Sequence, residues 1–183
     1  MSTQGDSPLM GNAQRGQRSG RGLIALVISL AIPLAVGGIG GAITARAIPV
    51  WYAELTKPTW NPPSWLFGPV WTLLYLGMGV AAWRIWRRGS APEADGAVRA
   101  ATRTALAAYA LQLVLNASWT PVFFGLKRID LAFLIIVVML AAIVETIRRF
   151  FRLDRGAAWL LFPYLAWVIF ATVLNGRIWQ RNP

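Results

Sequence analysis

The sequence contains neither cysteine nor histidine. Without cysteine there is no disulfide and no thiolate metal site, and nothing marks the redox compartment. Without histidine the commonest general base, the commonest metal ligand and the usual haem axial ligand are missing together. Acidic residues are scarce, seven against 18 Lys and Arg, and charged residues make up only 14% of the chain, against roughly 25% in an ordinary soluble domain. Asp130, Glu145 and Asp154 fall near the ends of apolar runs, beside arginines, and read as solvated ion partners rather than as a mid-run acidic pair. Conventional acid–base catalysis lacks its parts, and no resident metal or cofactor is expected.

Oil and tryptophan are what the chain has. Of 183 residues 56% are hydrophobic and ten are Trp. The apolar residues lie in long runs rather than in alternating or heptad patterns, which is the membrane signature. The expected fold is all-α, a polytopic integral membrane protein built as a bundle of five transmembrane helices at about 23–45, 64–86, 104–124, 129–147 and 157–179. A flexible basic tail is expected at 1–21, where Gly, Ser and Gln dominate, followed by a membrane domain at 22–183. The first apolar run is longer than the 7–15-residue core of a signal peptide, so it reads as a retained helix. The third segment is the least oily, with Gln112, Asn116 and Ser118. Polar side chains at that depth are costly unless they face the bundle or a cavity.

The net charge of +11 raises the question of nucleic acid, and the placement of the charge answers it. A nucleic-acid binder clusters its cations on a soluble face, whereas here arginines bracket the oily runs as membrane anchors do. With the N-terminus cytoplasmic, twelve basic residues (Arg15, Arg18, Arg21, Arg84, Arg87, Arg88, Arg99, Arg103, Arg148, Arg149, Arg152, Arg155) share the cytoplasmic side. Six lie opposite: Arg46, Lys57, Lys127, Arg128, Arg177 and Arg181. That bias favours an N-in, C-out chain. Two small-residue stripes, Gly37 with Gly41 and Ala100–Thr104–Ala108, are suited to close helix approach, within one bundle before a dimer seam.

Residues 51–75, WYAELTKPTWNPPSWLFGPVWTLLY, are the most informative stretch. Pro58, Pro62 and Pro63 exclude regular helix, so 48–61 is expected as an ordered aromatic loop, with Asn61–Pro62 starting the next helix as cap and first residue. Pro33, Pro69, Pro121 and Pro163 are candidates to bend their helices. Steps of three and four residues put Trp71, Tyr75 and Met78 on one helix face, Gln112, Asn116 and Trp119 on a second, and Pro163, Trp167, Ala171 and Asn175 on a third. An aromatic belt at the membrane interface accounts for Trp83, Trp86, Trp159 and Trp179, but not for amides in mid-span. A cavity with flat aromatic walls, a few amides and a loop lid, to which Trp51, Trp60 and Trp65 belong, accounts for both, and suits a large, flat, mostly apolar ligand.

W-Y-x-x-L-x-K-P-x-W-x-P-P at 51–63 and W-x-x-L-Y at 71–75 resemble the TspO/translocator protein family, also called tryptophan-rich sensory proteins or peripheral-type benzodiazepine receptors. L-N-x-x-W at 115–119 followed by Phe123 and Phe124, P-Y-x-x-W at 163–167 and A-T-x-x-N at 171–175 extend the resemblance, in matching order, over about 23–179. It implies a five-helix membrane fold, often a homodimer, with a pocket under the first long loop. The implied ligands are porphyrins such as protoporphyrin, cholesterol in animal members, and synthetic benzodiazepine-site drugs. Carried over by position, the pocket residues are Tyr52, Pro62, Trp71, Tyr75, Asn116, Trp119, Trp167 and Ala171. The cholesterol motif of animal members needs a tyrosine where 173–181, VLNGRIWQR, has Gly176 and Arg177. Cholesterol is therefore not expected, and the basic N-terminus suggests a bacterial member in the inner membrane. The implied function is binding of tetrapyrroles for sensing, sequestration or transport. The alternative is an enzyme promoting light-dependent oxidation of porphyrin, with indole rings, chiefly Trp71 and Trp167, as the candidates for such chemistry. For an alternating-access transporter, the sequence offers no inverted repeat and no paired broken helices.

Overall fold

A computed structural model describes residues 8–182, with side chains from residue 20 onward, and every regular element among them is helical. The elements are α1 (Pro8–Ala47), α2 (Phe67–Ser90), α3 (Gly96–Thr120), α4 (Ile129–Leu153), α5 (Arg155–Trp159) and α6 (Phe162–Arg181). Four segments, Gly20–Tyr52, Ser64–Ser90, Ile129–Leu153 and Arg155–Arg181, are long and apolar enough to cross a membrane by length and composition. The fifth long helix, α3, has 25 residues and is the one diluted by Gln112 and Asn116, as its composition led one to expect.

α4 shows how the bundle is specified. Ile129, Ala132, Ile136, Met139, Ile143, Ile147 and Phe150 recur at three- and four-residue steps and are buried, while Leu134, Val137, Val138 and Val144 face outward. Both faces are oily, so sorting is by packing rather than by polarity, as a lipid-facing helix requires. The inner face meets Met78 and Ile85 of α2, Ala105 and Tyr109 of α3, and Tyr164 and Val168 of α6 in one core. A second, smaller cluster (Tyr52, Phe123, Ile129, Ala132, Leu174, Ile178) closes the end at which α1 and α6 finish.

The structure differs from the sequence reading at several helix ends and on one helix face. Residues 8–21, expected as tail, continue α1 toward the N-terminus; once a long span has paid the nucleation cost, added Ala, Gln and Arg residues propagate it cheaply. The tail's residues 1–7 lie outside the described residues. At its other end α1 runs on through a π-helical turn at Ile48–Tyr52 to residue 54, so the true loop is 55–63. Pro49 sits in the first positions of that turn and has no N–H to give the preceding turn of α1, which accounts for the helix widening there. Asn61 is not a helix cap: the position before the turn that opens the second helix is Pro63. The fifth span is broken after α5, and Pro163 falls in the first turn of α6, where proline is well tolerated. Finally, Ala100 and Thr104 are exposed, and α3 buries Thr102, Ala105, Tyr109, Gln112, Leu113 and Asn116 instead.

Asp154 also departs from the expected solvated state. It is only 6% exposed and takes Arg84 Nη2 at 2.9 Å and Arg88 Nη2 at 3.2 Å, both from α2, while its Oδ1 accepts the Ala157 N–H at 2.9 Å as the cap of α5. Burial works against its charge, but the two guanidiniums and the cap bond outweigh it and hold the carboxyl below its ordinary value. A carboxylate depressed in the folded state contributes stability that is present above its unfolded pKa, about 3.9, and lost as pH falls through the folded value. Because Arg84 is half-buried and Arg88 mostly solvated, the interaction is partly screened. Asp154→Ala is expected to cost about 2 kcal/mol, from one cap and charge-assisted hydrogen bonds. Detergent melting curves check this: the variant should melt earlier at pH 7 and differ less from wild type below about pH 4.

Candidate functional site

At the end where residues 55–63 cross the bundle, α1, α2, α3 and α6 enclose a cavity of about 520 Å³, with Ile136 and Met139 of α4 at its base. On α1 the wall is glycine: a Cβ on Gly37 would collide with the Tyr75 ring, and one on Gly40 would meet Thr120 Oγ1 at 3.3 Å. The glycine run thus lets α1 approach while leaving the cavity room, and Gly37 serves contact within one chain. α2 contributes Phe67, Trp71 and Tyr75, α3 contributes Asn116 and Trp119, and α6 contributes Trp167, Ala171 and Asn175. Trp71 and Tyr75 stack at 5.3 Å and 27°, Trp119 and Phe123 at 4.9 Å and 20°, and Phe67 meets Trp167 edge-on at 6.0 Å. These are favoured aromatic geometries, so the rings brace one another as flat walls. Among the described residues no charged side chain lines the cavity.

A chain of hydrogen bonds fixes the polar groups. Tyr75 Oη donates to Asn116 Oδ1 at 2.7 Å, Asn116 Nδ2 donates to Tyr164 Oη at 3.2 Å, and Tyr164 Oη donates to Gln112 Oε1 at 2.8 Å. Nearer the lid, Trp119 Nε1 donates to Asn175 Oδ1 at 3.1 Å, and Asn175 Nδ2 to the Ile129 carbonyl at 3.2 Å. The mid-span amides of α3 are thereby engaged inside the bundle, Asn116 as donor and acceptor and Gln112 through its Oε1, while Gln112 Nε2 is buried without a partner among the described residues.

The lid is held from both sides. Tyr52 Oη donates to Asn61 Oδ1 at 2.8 Å, and Asn61 Nδ2 donates to the Pro62 carbonyl at 3.0 Å. The ammonium of Lys57 donates to the carbonyls of Tyr52, Ala53 and Leu55 at 2.6, 3.1 and 2.8 Å, closing the frayed end of the first helix in the manner of a C-terminal cation. From the far terminus, Asn182 accepts from the Thr56 N–H at 3.0 Å and donates to the Thr56 carbonyl at 3.1 Å.

Of the eight expected pocket residues, Tyr52, Trp71, Tyr75, Asn116, Trp119, Trp167 and Ala171 line the cavity, and Pro62 does not. Pro62 shapes the lid, where its carbonyl takes the Asn61 amide. Trp51, Trp60 and Trp65 also lie outside the lining: Trp51 packs on Phe123 at 5.5 Å and Trp60 on Phe170 at 5.8 Å, and Trp65 is 72% exposed. The sequence reading missed Tyr164 as a site residue. It is fully buried and joins Asn116 to Gln112 from behind the cavity wall. It also missed Phe67 and Phe123 as walls and Asn182 as the lid's outer fastening.

A family model for TspO/MBR matches residues 29–180, from α1 through α6. The chain belongs to the TspO/MBR family. It is similar to the tryptophan-rich protein TspO of Chlorobaculum tepidum, with 37% identity over 165 residues, 88% of this chain and 98% of that one. It is similar to the tryptophan-rich sensory protein of Cereibacter sphaeroides, with 44% identity over 132 residues, 72% of this chain and 77% of that one. It is also similar to the human translocator protein, with 39% identity over 132 residues, 72% of this chain and 75% of that one. TspO/MBR proteins are membrane proteins, which accounts for the broad apolar surface of the bundle, with Leu23, Ile39, Leu73 and Val114 each more than 60% exposed.

Proposed function

We propose that this TspO/MBR protein spans a bacterial inner membrane five times with its N-terminus in the cytoplasm, and binds porphyrins of the protoporphyrin type for sensing, sequestration or transport. One observation carries the reading: an uncharged cavity of about 520 Å³ walled by Trp71, Tyr75, Trp119 and Trp167. Its volume is in the usual range for small-molecule sites, about 300–1,000 Å³. Its flat walls match a flat, apolar macrocycle, and Asn116 and Asn175 offer few, fixed polar contacts to orient it.

The test is a titration of the detergent-solubilised protein with protoporphyrin, read by quenching of tryptophan fluorescence. Binding is expected with a dissociation constant on the order of micromolar, about −8 kcal/mol. Trp71→Ala or Trp167→Ala should weaken it by roughly 1–3 kcal/mol, the scale of one large buried apolar side chain. Trp179→Ala serves as control, since Trp179 packs on Phe133 away from the cavity. Equal losses at all three positions would mean that porphyrin associates with the aromatic surface and not with the cavity. Loss of porphyrin absorbance under light and oxygen, faster with protein than with empty detergent and absent in the dark, would move the reading to photo-oxidation. The stacking of Trp71 on Tyr75 is the observation that favours that second reading.

A further inference from the structure

At the lid end of the bundle, on its outer surface, a second groove of about 400 Å³ lies between the end of α1 and the π-helical turn that follows α3. Arg46 and Lys127 stand in it, and the rest of its lining is chiefly apolar, with Ile43, Val50, Trp51 and Phe124. Phe124 is shared with the large cavity and separates the two. Both cations are exposed, and neither enters an ion pair among the described residues, whereas the adjacent Arg128 is bound to Asp130 at 2.7 Å. Lys127 has φ 57°, in the left-handed region, where glycine or asparagine would sit at lower cost. The surroundings are oily: Ile39, Val50 and Leu126 are more than 60% exposed.

We propose that this groove binds the headgroup phosphate of an anionic phospholipid, held between Arg46 and Lys127, with the acyl chains descending along Ile43 toward Ile39. Two cations from segments distant in sequence converge on one groove, and among the described residues neither is ion-paired and no carboxylate lines it, so a negative charge completes the site electrostatically. The apolar lining and the open, lipid-facing side select a lipid over a free anion, because a soluble anion gains nothing from Val50, Ile43 and the Trp51 ring. The left-handed backbone at Lys127 is a local strain retained where a functional side chain is presented.

Native mass spectrometry of the full chain in detergent, with phosphatidylglycerol, phosphatidylcholine or inorganic phosphate added, tests this. Wild type should retain phosphatidylglycerol in preference to phosphatidylcholine, and millimolar inorganic phosphate should not displace it. The Arg46→Gln, Lys127→Gln double variant should lose the preference by about thirtyfold, at roughly fivefold per cation near a bilayer surface. Arg177→Gln, which removes an exposed cation at the same end of the bundle, should leave it unchanged. Lys127→Gly separates binding from folding: the lipid-free variant should melt no lower than wild type, since the strain is relieved, yet lose the stabilisation that phosphatidylglycerol confers. An undiminished preference in the double variant, or full displacement of the lipid by inorganic phosphate, overturns the assignment.

Discussion

Replacing Gly79 by alanine is expected to cost on the order of 3 kcal/mol, among the largest effects of any single methyl group in this chain. Gly79 lies on α2 where that helix crosses α1. A Cβ there would stand 2.7 Å from the Ser29 carbonyl oxygen and 2.9 Å from Leu30 Cα. Those are backbone atoms of a continuous helix and cannot rotate away, so α1 and α2 must separate. Alanine's better helix propensity returns only about 1 kcal/mol, which decides the sign. Gly77 is the control, on the same helix two residues earlier. Its Cβ would meet the Leu160 carbonyl at 3.4 Å, an ordinary contact, so Gly77→Ala should be neutral or mildly stabilising. Thermal melting of both variants in the same detergent checks the pair. Equal melting temperatures would show that the α1–α2 contact is not this close.

The contrast between these glycines could not be seen in the sequence, and the reason is general to the molecule. Periodicity along one helix is local information, and it sufficed to bring Trp71 to Tyr75, Asn116 to Trp119, and Trp167 to Ala171 and Asn175 on cavity-facing stripes. Which residues meet across helices depends on where axes cross, and there the sequence reading failed. Tyr164 is three residues from Trp167, near enough to share its face, and only the packing of α3 and α4 against α6 puts it behind the wall and not in it. Asn61 resembled a cap because Pro62 follows it, but its partner is Tyr52, nine residues back in the chain. Asp154 looked solvated because its arginine partners lie in α2, 66 and 70 residues away. Trp51, Trp60 and Trp65 were grouped with the cavity by their density in the loop, although a loop's side chains follow no period that fixes their direction. Four of the long segments are legible because length and hydropathy alone define them, and α3, diluted by Gln112 and Asn116, is legible from its length and its helical spacing. Their ends are not, since helix continues past the membrane-length core at both ends of α1 and at the C-terminal end of α4.

Asn116→Leu is expected to cost on the order of 3 kcal/mol, because it strands the buried Tyr75 hydroxyl and takes one of its bonds from Tyr164, which keeps Gln112. Asn116 accepts the Tyr75 hydroxyl and donates to the Tyr164 oxygen, and all three side chains are less than 10% exposed. Leucine has the same branched shape, and the cavity beside Asn116 takes its greater volume, so the loss is chiefly polar. A donor or acceptor left buried without a partner costs about 1–3 kcal/mol, whereas removing both partners of a bond is nearly neutral. Tyr75→Phe should therefore cost less in the Asn116→Leu background than in the wild type. A coupling of about 1 kcal/mol or more, measured by a double-mutant cycle on chemical or thermal denaturation in detergent, is the expected result. Strict additivity would mean that water reaches Tyr75 from the cavity and satisfies its hydroxyl. The same four proteins titrated with protoporphyrin distinguish a structural network from one that also positions ligand. Recovery of stability in the double variant without recovery of binding would assign Asn116 to the ligand as well as to the fold. Parallel recovery of both would leave it a positioning residue that holds the Tyr75 ring against Trp71, and through that stack sets the flatness of the cavity wall.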